Sequence, residues 1–381
     1  MSTEPMQPSD MAALRAQLLQ IDEDILALVA RRMEVVSDIG RIKRRHQLPL
    51  RNFSRERTVI DHAVAAAERL HLPQSLARRF SELLIEHALA VQERGVVAET
   101  AAGEGRRALV IGGRGKIGNW FARFLATQGF SVVVADPLVE EESTTAVRDW
   151  RQLLLDVDMI VVAVPLDGCA AVLEELALRR PSSLIFDVAS LKGPIRGAMD
   201  TLRRAGCRVA SVHPMFGPDA DMLAGRHVIF VHTGDDEALR EARSLFADTM
   251  AVCVDMTLDE HDRLAAIVLG LSHLLNIAFF TALRNCGEDA SRLQRISSTS
   301  FAAQLRVACR IAAENPHLYY EIQRLNEFRH APREALTRAL QDIIDIIEGG
   351  DEEAFVRIME EGRAWLQTLP ALAHQERDIT P

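Results

Sequence analysis

His213 closes the run Arg208-Val-Ala-Ser-Val-His213 and is followed by Pro214-Met-Phe-Gly-Pro. An imidazole changes charge near neutral pH, so it can take a proton or hydrogen bond from a hydroxyl as hydride leaves the same molecule. Pro214 restricts His213 to extended backbone, which helps fix the ring. About a hundred residues earlier, Gly113-Arg114-Gly115-Lys116-Ile117-Gly118 reads G-x-G-x-x-G between an apolar strand and a helix. In that pattern one glycine serves a tight turn, one lets backbone approach a pyrophosphate, and one lets helix pack on strand. The helix N-terminus then presents N–H groups to the phosphates. Asp136 lies 23 residues beyond Gly113, close to the ~20 of an acid that binds ribose hydroxyls. That acid repels a 2′-phosphate, and Pro137-Leu138-Val139 brings no arginine to offset it. Hydride transfer with NAD, not NADP, is the chemistry expected.

A second group follows a preceding strand in Asp187-Val-Ala-Ser190-Leu-Lys192. Ser190 and Lys192 there can face nicotinamide and substrate; a helix cap and a solvated lysine fit the sequence equally well. The first hundred residues hold a third set. Arg15, Arg32 and Lys43 fall on one long helical pattern, Arg55-Glu56 opens the next helix, and Gln92 lies in a third. Arg32 and Lys43, eleven residues apart, share a helix face to within ~20° at about 100° per residue. Leu28, Val35 and Ile39 flank them, and cations on an apolar face call for an anionic partner. Arg15 turns about 100° away, toward the pocket of a neighbouring copy.

The elements that must position these groups follow from periodicity. Residues 11–45 keep a near-3.6 repeat through Leu14, Leu18, Ile21, Ile25, Leu28, Val35, Ile39 and Ile42. That helix is about 50 Å long. It is too long to bury its face on the residues that follow, so a second copy is expected to cover it. Further helices are expected over 54–70 and 74–93, and the small, polar stretch Gly95 to Gly105 reads as a linker. From Arg107 strands alternate with helices: 108–111, 131–135, 159–164, 183–188 and 208–212, with shorter strands at 228–231 and 251–254. After Asp255 the chain is helical to about Leu369. The expected fold is multidomain. An all-α domain covers 1–95, a linker 96–106, and an α/β Rossmann domain with a parallel sheet 107–255. An all-α C-terminal domain covers 256–370, with a polar tail at 371–381.

With 381 residues and a formal charge of −10, the chain is large enough for two or three cores and lacks the clustered positive charge that nucleic acid or an anionic membrane requires. Five cysteines, Cys169, Cys207, Cys253, Cys286 and Cys309, show no CxxC spacing. They read as reduced core residues of a cytoplasmic protein, with no metal site. Met1-Ser-Thr-Glu-Pro5 carries neither the basic nor the apolar region of a secretion signal. Leu264 to Leu283 is long and apolar, but Ser272, His273 and Asn276 interrupt it. It reads as a buried helix of a helical domain, and no membrane partner is expected.

The glycine loop, the Asp187–Lys192 run, His213-Pro-Met-Phe-Gly-Pro-Asp219, and Glu260-His261-Asp262 with His273 together resemble the prephenate dehydrogenases. The resemblance implies that His213 hydrogen-bonds a ring hydroxyl, hydride passes to NAD, and carbon dioxide leaves as the ring aromatises. It implies further that Ser190 and His273 lie near nicotinamide and substrate, with Lys192 and Asp262 in support. An arginine of the helical domain, by position Arg310, would hold a substrate carboxylate, although Ala302 stands where that motif often has another arginine. Tyr319 would belong to a tyrosine-sensing edge. Residues 10–95 are similar to the all-helical chorismate mutases. Arg15, Arg32, Lys43, Arg55, Glu56 and Gln92 match position by position, while Asn52 replaces a common aspartate and Ala88 a common serine. Together the halves resemble the bifunctional T-protein family, chorismate mutase fused to prephenate dehydrogenase. That likeness implies chorismate and prephenate as substrates, NAD as cofactor, a homodimer, and tyrosine as feedback inhibitor. Two other readings stay open here: front helices that only dimerise a monofunctional enzyme, and a dehydrogenase that acts on arogenate.

Overall fold

A computed structural model describes residues 8–46, 48–100, 103–220 and 223–369. The expected tail at 371–381 and the N-terminal Met1–Pro5 lie outside them. The chain forms two compact units, dividing between Leu258 and Asp259.

The first unit opens with helices α1 (Pro8–Arg45), α2 (Phe53–Arg69) and α3 (Gln74–Thr100). At about 1.5 Å per residue, α1 is ~57 Å long, and α1 and α2 both pack on α3. Asn52 caps α2, its Oδ1 accepting the Arg55 N–H at 2.9 Å. The residue that departs from the mutase pattern thus does a local structural job. The helices α1 and α3 meet at two glycines. A Cβ on Gly40 or Gly95 would stand 3.1 or 3.0 Å from the Arg44 guanidinium, which crosses there to pair with Glu99. The expected linker is therefore misplaced at its start. Gly95 is a packing glycine inside α3, and the helix continues to Thr100 because Val97 is buried and Glu99 is paired.

The sheet follows: β1 (Arg107–Ile111), α4 (Lys116–Thr127), β2 (Ser131–Ala135), β3 (Ala146–Val147), β4 (Met159–Val162), α5 (Leu166–Arg179), β5 (Leu184–Asp187), α6 (Arg196–Arg204), β6 (Arg208–Pro214), β7 (His227–Val231), α7 (Asp236–Ser244) and β8 (Val252–Met256). The strand order is β3-β2-β1-β4-β5-β6-β7-β8. Strands β4 and β5 are buried along their whole length, as expected of central strands covered on both faces. The sheet is not wholly parallel, because β7 runs antiparallel to β6. That pairing also carries β6 two residues past Val212, with His213 opposite Ile229 and Pro214 opposite Val228. Pro214 donates nothing to the ladder, so the strand ends there.

The second unit is helical: α8 (Leu258–Ala265), a π turn at Ala266–Leu271, α9 (Ser272–Asn285), α10 (Ala290–Arg295), α11 (Thr299–Ala312), α12 (Pro316–Leu325), α13 (His330–Gly349) and α14 (Glu352–Leu366). The stretch Leu258–Asn285 is long and apolar enough to cross a membrane by length and composition. The sequence suggested a buried helix, yet Leu264, Ile267, Val268 and Leu275 are exposed. Leu340, Ile344, Ile347 and Met359 on α13 and α14 are exposed as well, so this unit does not cover its own apolar surface. Cys286 and Cys309 are likewise exposed instead of in a core.

Candidate active sites

Strands β2, β1, β4, β5 and β6 are consecutive parallel neighbours, so their carboxyl ends form one edge. Open α/β sheets bind ligands at that edge. Asp136 follows β2, the glycine loop follows β1, Ser190 follows β5, and His213 lies at the end of β6. From β2 to β6 is four strand spacings, about 19 Å, a span suited to an extended dinucleotide.

The glycine loop divides its work differently from the motif. The turn belongs to Gly112, which has φ +84° and where a Cβ would meet the Ala163 carbonyl oxygen at 2.4 Å. Gly113 makes room for Val134, 2.6 Å from the position of an added Cβ. Gly118 does the packing: a Cβ there would sit 2.1 Å from the Gly112 carbonyl oxygen. Gly115 is the N-cap of α4 and supplies no side-chain cap. Lys116 is exposed and Ile117 half-buried in the first turn. Asp136 is buried, its Oδ2 accepting the Arg114 N–H at 3.0 Å and its Oδ1 the Leu138 N–H at 2.9 Å. The acid expected at a ribose thus also pins the glycine loop to the end of β2. Arg114, an exposed side chain beside it, was not marked by the motif.

His213 is 5% exposed. Lys192, expected to face substrate, is fully buried. Its ammonium donates to Asp187 Oδ1 at 2.6 Å and to the Val212 carbonyl at 3.0 Å. It therefore ties the end of β5 to the residue before His213. Asp187 also accepts the Ala189 N–H at 2.9 Å, shaping the turn that carries half-buried Ser190. Nothing in the spacing marks Asp187 as more than a strand end, yet this acid orders the corner. Cys169 lies close by; burial, reinforced by the Asp187 charge, pushes its thiol above the usual range, so it stays unreactive.

The front helices gather their own cluster. Lys43 Nζ donates to Gln92 Oε1 at 3.2 Å and to the Leu50 carbonyl. Burial lowers the lysine's pKa and the Glu56 charge opposes that shift. Arg32 donates to the Leu84 carbonyl at 2.9 Å, and burial lowers its pKa too. Glu56 is held by Arg51, with Nε–Oε1 at 3.1 Å. Arg51 is a member that the sequence reading missed, detectable only as a basic residue one turn from an acid. Gln92 is 6% exposed. The structure thus brings Lys43, Gln92 and Glu56 together, with Arg32 on the same helix face. Arg15 and Arg55 are exposed, and neither guanidinium has a carboxylate partner among the described residues.

In the second unit, His273 on α9 stacks on Tyr319 of α12, with ring centroids 4.1 Å apart and planes 25° off parallel. Burial lowers the His273 pKa, so the ring is neutral at pH 7, and its buried Nδ1 has no hydrogen-bond partner among the described residues. Burial raises the Tyr319 hydroxyl, and Glu314 adds to the shift. Asp262 is buried against His261 Nδ1 at 2.7 Å, and its carbonyl receives Asn326 Nδ2 at 2.7 Å. Arg310 on α11 is exposed. Among the described residues no cluster of histidine, cysteine and acid is arranged to hold a metal.

Comparison with known proteins matches three segments of the chain. Residues 14–93 match the family described as chorismate mutase type II. Residues 121–255 match the prephenate dehydrogenase nucleotide-binding domain and 257–361 the prephenate dehydrogenase dimerization domain. The second match begins after the glycine loop, so the reading of that loop rests on its geometry. A T-protein from Enterobacter agglomerans is 27% identical over 361 residues, covering 94% of this chain and 93% of its own. A 4-amino-4-deoxyprephenate dehydrogenase from Streptomyces pristinaespiralis is 31% identical, covering 68% of this chain and 91% of its own. Among solved structures, prephenate dehydrogenase from A. aeolicus in complex with hydroxyphenyl propionate and NAD+ superposes with TM-score 0.57 at 19% identity. It covers 69% of this chain and 98% of that one.

Proposed function

Because the chain belongs to the prephenate dehydrogenase family and carries a type II chorismate mutase module ahead of it, we propose that it catalyses two consecutive steps toward tyrosine. It rearranges chorismate to prephenate, then oxidises and decarboxylates prephenate to 4-hydroxyphenylpyruvate with NAD. The observation that carries this reading is the pairing of Lys43 with Gln92 in a chain that also sets His213 on the sheet edge of a glycine loop. A front end used only for dimerisation has no need to hold a half-buried lysine on a buried glutamine beside an acid.

The first reaction needs no covalent intermediate. The substrate must be held compact and the charge on its breaking C–O bond stabilised. Lys43 and Gln92 address the ether oxygen, Arg32 and Arg55 with Arg15 from a second copy hold the two carboxylates, and Glu56 binds the hydroxyl. In the second reaction the substrate's ring hydroxyl donates to His213, which takes its proton as the carbonyl forms. The glycine loop and Asp136 would hold NAD at this edge, where it would supply the hydride acceptor. Ser190 lies beside the reacting ring, while Lys192 and Asp187 keep the β5 and β6 ends in register. Arg310 anchors a carboxylate, where a bidentate, charge-assisted contact is strongest. His273 binds substrate, and Tyr319, on which it stacks, marks where tyrosine inhibits.

The site suits NAD because Gly112 and Gly118 let the loop turn and pack where a Cβ would strike the Ala163 or Gly112 carbonyl, and because Asp136 stands at the ribose position. Wild-type protein is expected to prefer NAD to NADP by about tenfold or more; Asp136→Ala should erase most of that preference, since it removes the acid and leaves Arg114 beside the 2′ position. Steady-state kinetics with both cofactors checks this, and an unchanged ratio removes Asp136 from the ribose site.

The exposed apolar stripe of α1, including Leu18, Leu28 and Ile42, and the exposed face of the helical unit are covered by a second copy. Exposed patches of that extent mark association surfaces. The homodimer works in the cytoplasm, where its five free cysteines stay reduced. One assay tests the whole reading. Chorismate supplied without NAD should accumulate as prephenate, and with NAD should run on to 4-hydroxyphenylpyruvate. Oxidation of added prephenate with no consumption of chorismate would leave the front helices as a dimerisation module alone.

A further inference from the structure

Glu93 follows Gln92 on α3 and is 4% exposed. Its Oε2 accepts the Leu223 N–H at 2.9 Å and its Oε1 the Met250 N–H at 2.7 Å. Both donors belong to the dinucleotide-binding domain: Leu223 lies between β6 and β7, and Met250 precedes β8. Leu223 is itself 4% exposed and part of that domain's apolar core. The loop holding it is tied a second time, where Trp120 Nε1 on α4 donates to the Ala220 carbonyl at 3.0 Å. No lysine or arginine lies within ion-pair distance of Glu93 among the described residues, so two backbone amides alone satisfy a buried carboxylate. Burial pushes its pKa up, and the two amides together with the charge of the neighbouring Arg94 oppose that shift. Keeping a charge there for packing alone is costly.

Two neighbouring residues thus point α3 at two domains. Consecutive helical positions are about 100° apart. Gln92 meets Lys43 of α1, its Cγ lying 3.1 Å from where a Gly40 Cβ would stand, while Glu93 grips the backbone of the dehydrogenase. A carboxylate can accept two N–H groups at once, and an amide can accept with only one of its two ends. The acid therefore fixes both the rotation and the height of α3. We infer that Glu93 is a positioning residue for the mutase reaction, holding Gln92 at Lys43 through the backbone of the dehydrogenase domain. The mutase site is then not autonomous: its catalytic glutamine is aligned by contacts that the other enzyme's fold supplies. This rests on the mutase reading above.

The test uses the full chain with Glu93→Gln, Glu93→Asp, Gln92→Ala and the Gln92→Ala/Glu93→Gln double variant. Mutase kcat should fall about tenfold in Glu93→Gln with the chorismate KM nearly unchanged, because Gln92 acts on the transition state. Prephenate oxidation should stay within about twofold of wild type, which also reports folding. Glu93→Asp, which keeps both acceptor oxygens, should recover part of the loss and stands in if the glutamine variant does not fold. If Glu93 acts through Gln92, the double variant should be no slower than Gln92→Ala. Additive losses, mutase kcat unchanged in Glu93→Gln, or equal losses of both activities in every Glu93 variant would each overturn the assignment. A wild-type chain that fails to consume chorismate would instead sink the mutase reading itself.

Discussion

Replacing His213 by asparagine is expected to slow prephenate oxidation by about two to four orders of magnitude, the range seen when a general acid–base group is removed. Asparagine keeps a hydrogen-bonding side chain of modest size but cannot hold the proton that leaves the ring hydroxyl. The backbone has little cause to move. His213 is registered opposite Ile229 by the antiparallel β6–β7 pairing, and the carbonyl before it is held by Lys192. The glycine loop, on the far side of β4 and β5, keeps its own contacts. NAD affinity, read by fluorescence titration, should therefore stay within about twofold, and mutase activity should not change. A parallel loss of NAD binding would point to a collapsed sheet edge. Near-normal kcat would remove the imidazole from the chemistry.

The same edge separates what residue types reveal from what only folding decides. The strand-loop-helix order around Gly113 and the acid at Asp136 were readable because they follow local periodicity and turn chemistry. Which glycine takes positive φ was not, because it depends on where the Ala163 carbonyl of a neighbouring strand passes, and that places the turn at Gly112. Lys192 illustrates the point more sharply. A lysine after a strand reads as solvated or substrate-facing, and only its burial with Asp187 makes it a tie between β5 and β6. Gly95 misled for the opposite reason: a glycine that ends a helix and one that lets Arg44 cross it look alike in sequence. The helical unit hides most, since an apolar stretch reads as buried whether its cover comes from this chain or from another copy. Only in three dimensions do Ile267 and Val268 prove to be left uncovered by this chain.

Lys43→Ala should cost the mutase about three orders of magnitude in kcat/KM, near 4 kcal/mol of transition-state stabilisation, while prephenate oxidation proceeds unchanged. The size follows from the surroundings. The ammonium is half-buried, fixed by Gln92 and the Leu50 carbonyl, and pre-aimed before any charge develops on the ether oxygen. Such a preorganised, half-buried cation has less solvent to rearrange during the reaction than an exposed one. Its environment also sets a pH signature. Burial depresses the Lys43 pKa and Glu56 only partly restores it, so this lysine loses its proton at lower pH than an exposed one, which titrates near ~10.4. The protonated form is the active one, so mutase kcat should fall as pH rises through the depressed value, while Lys43→Ala loses that alkaline limb along with the activity. Lys43→Arg stays charged across the same range and should carry its smaller residual activity through it without the fall. A wild-type profile that stays flat to the ordinary lysine range, or an arginine variant with the same limb, would assign the titration to another group and take Lys43 off the breaking bond.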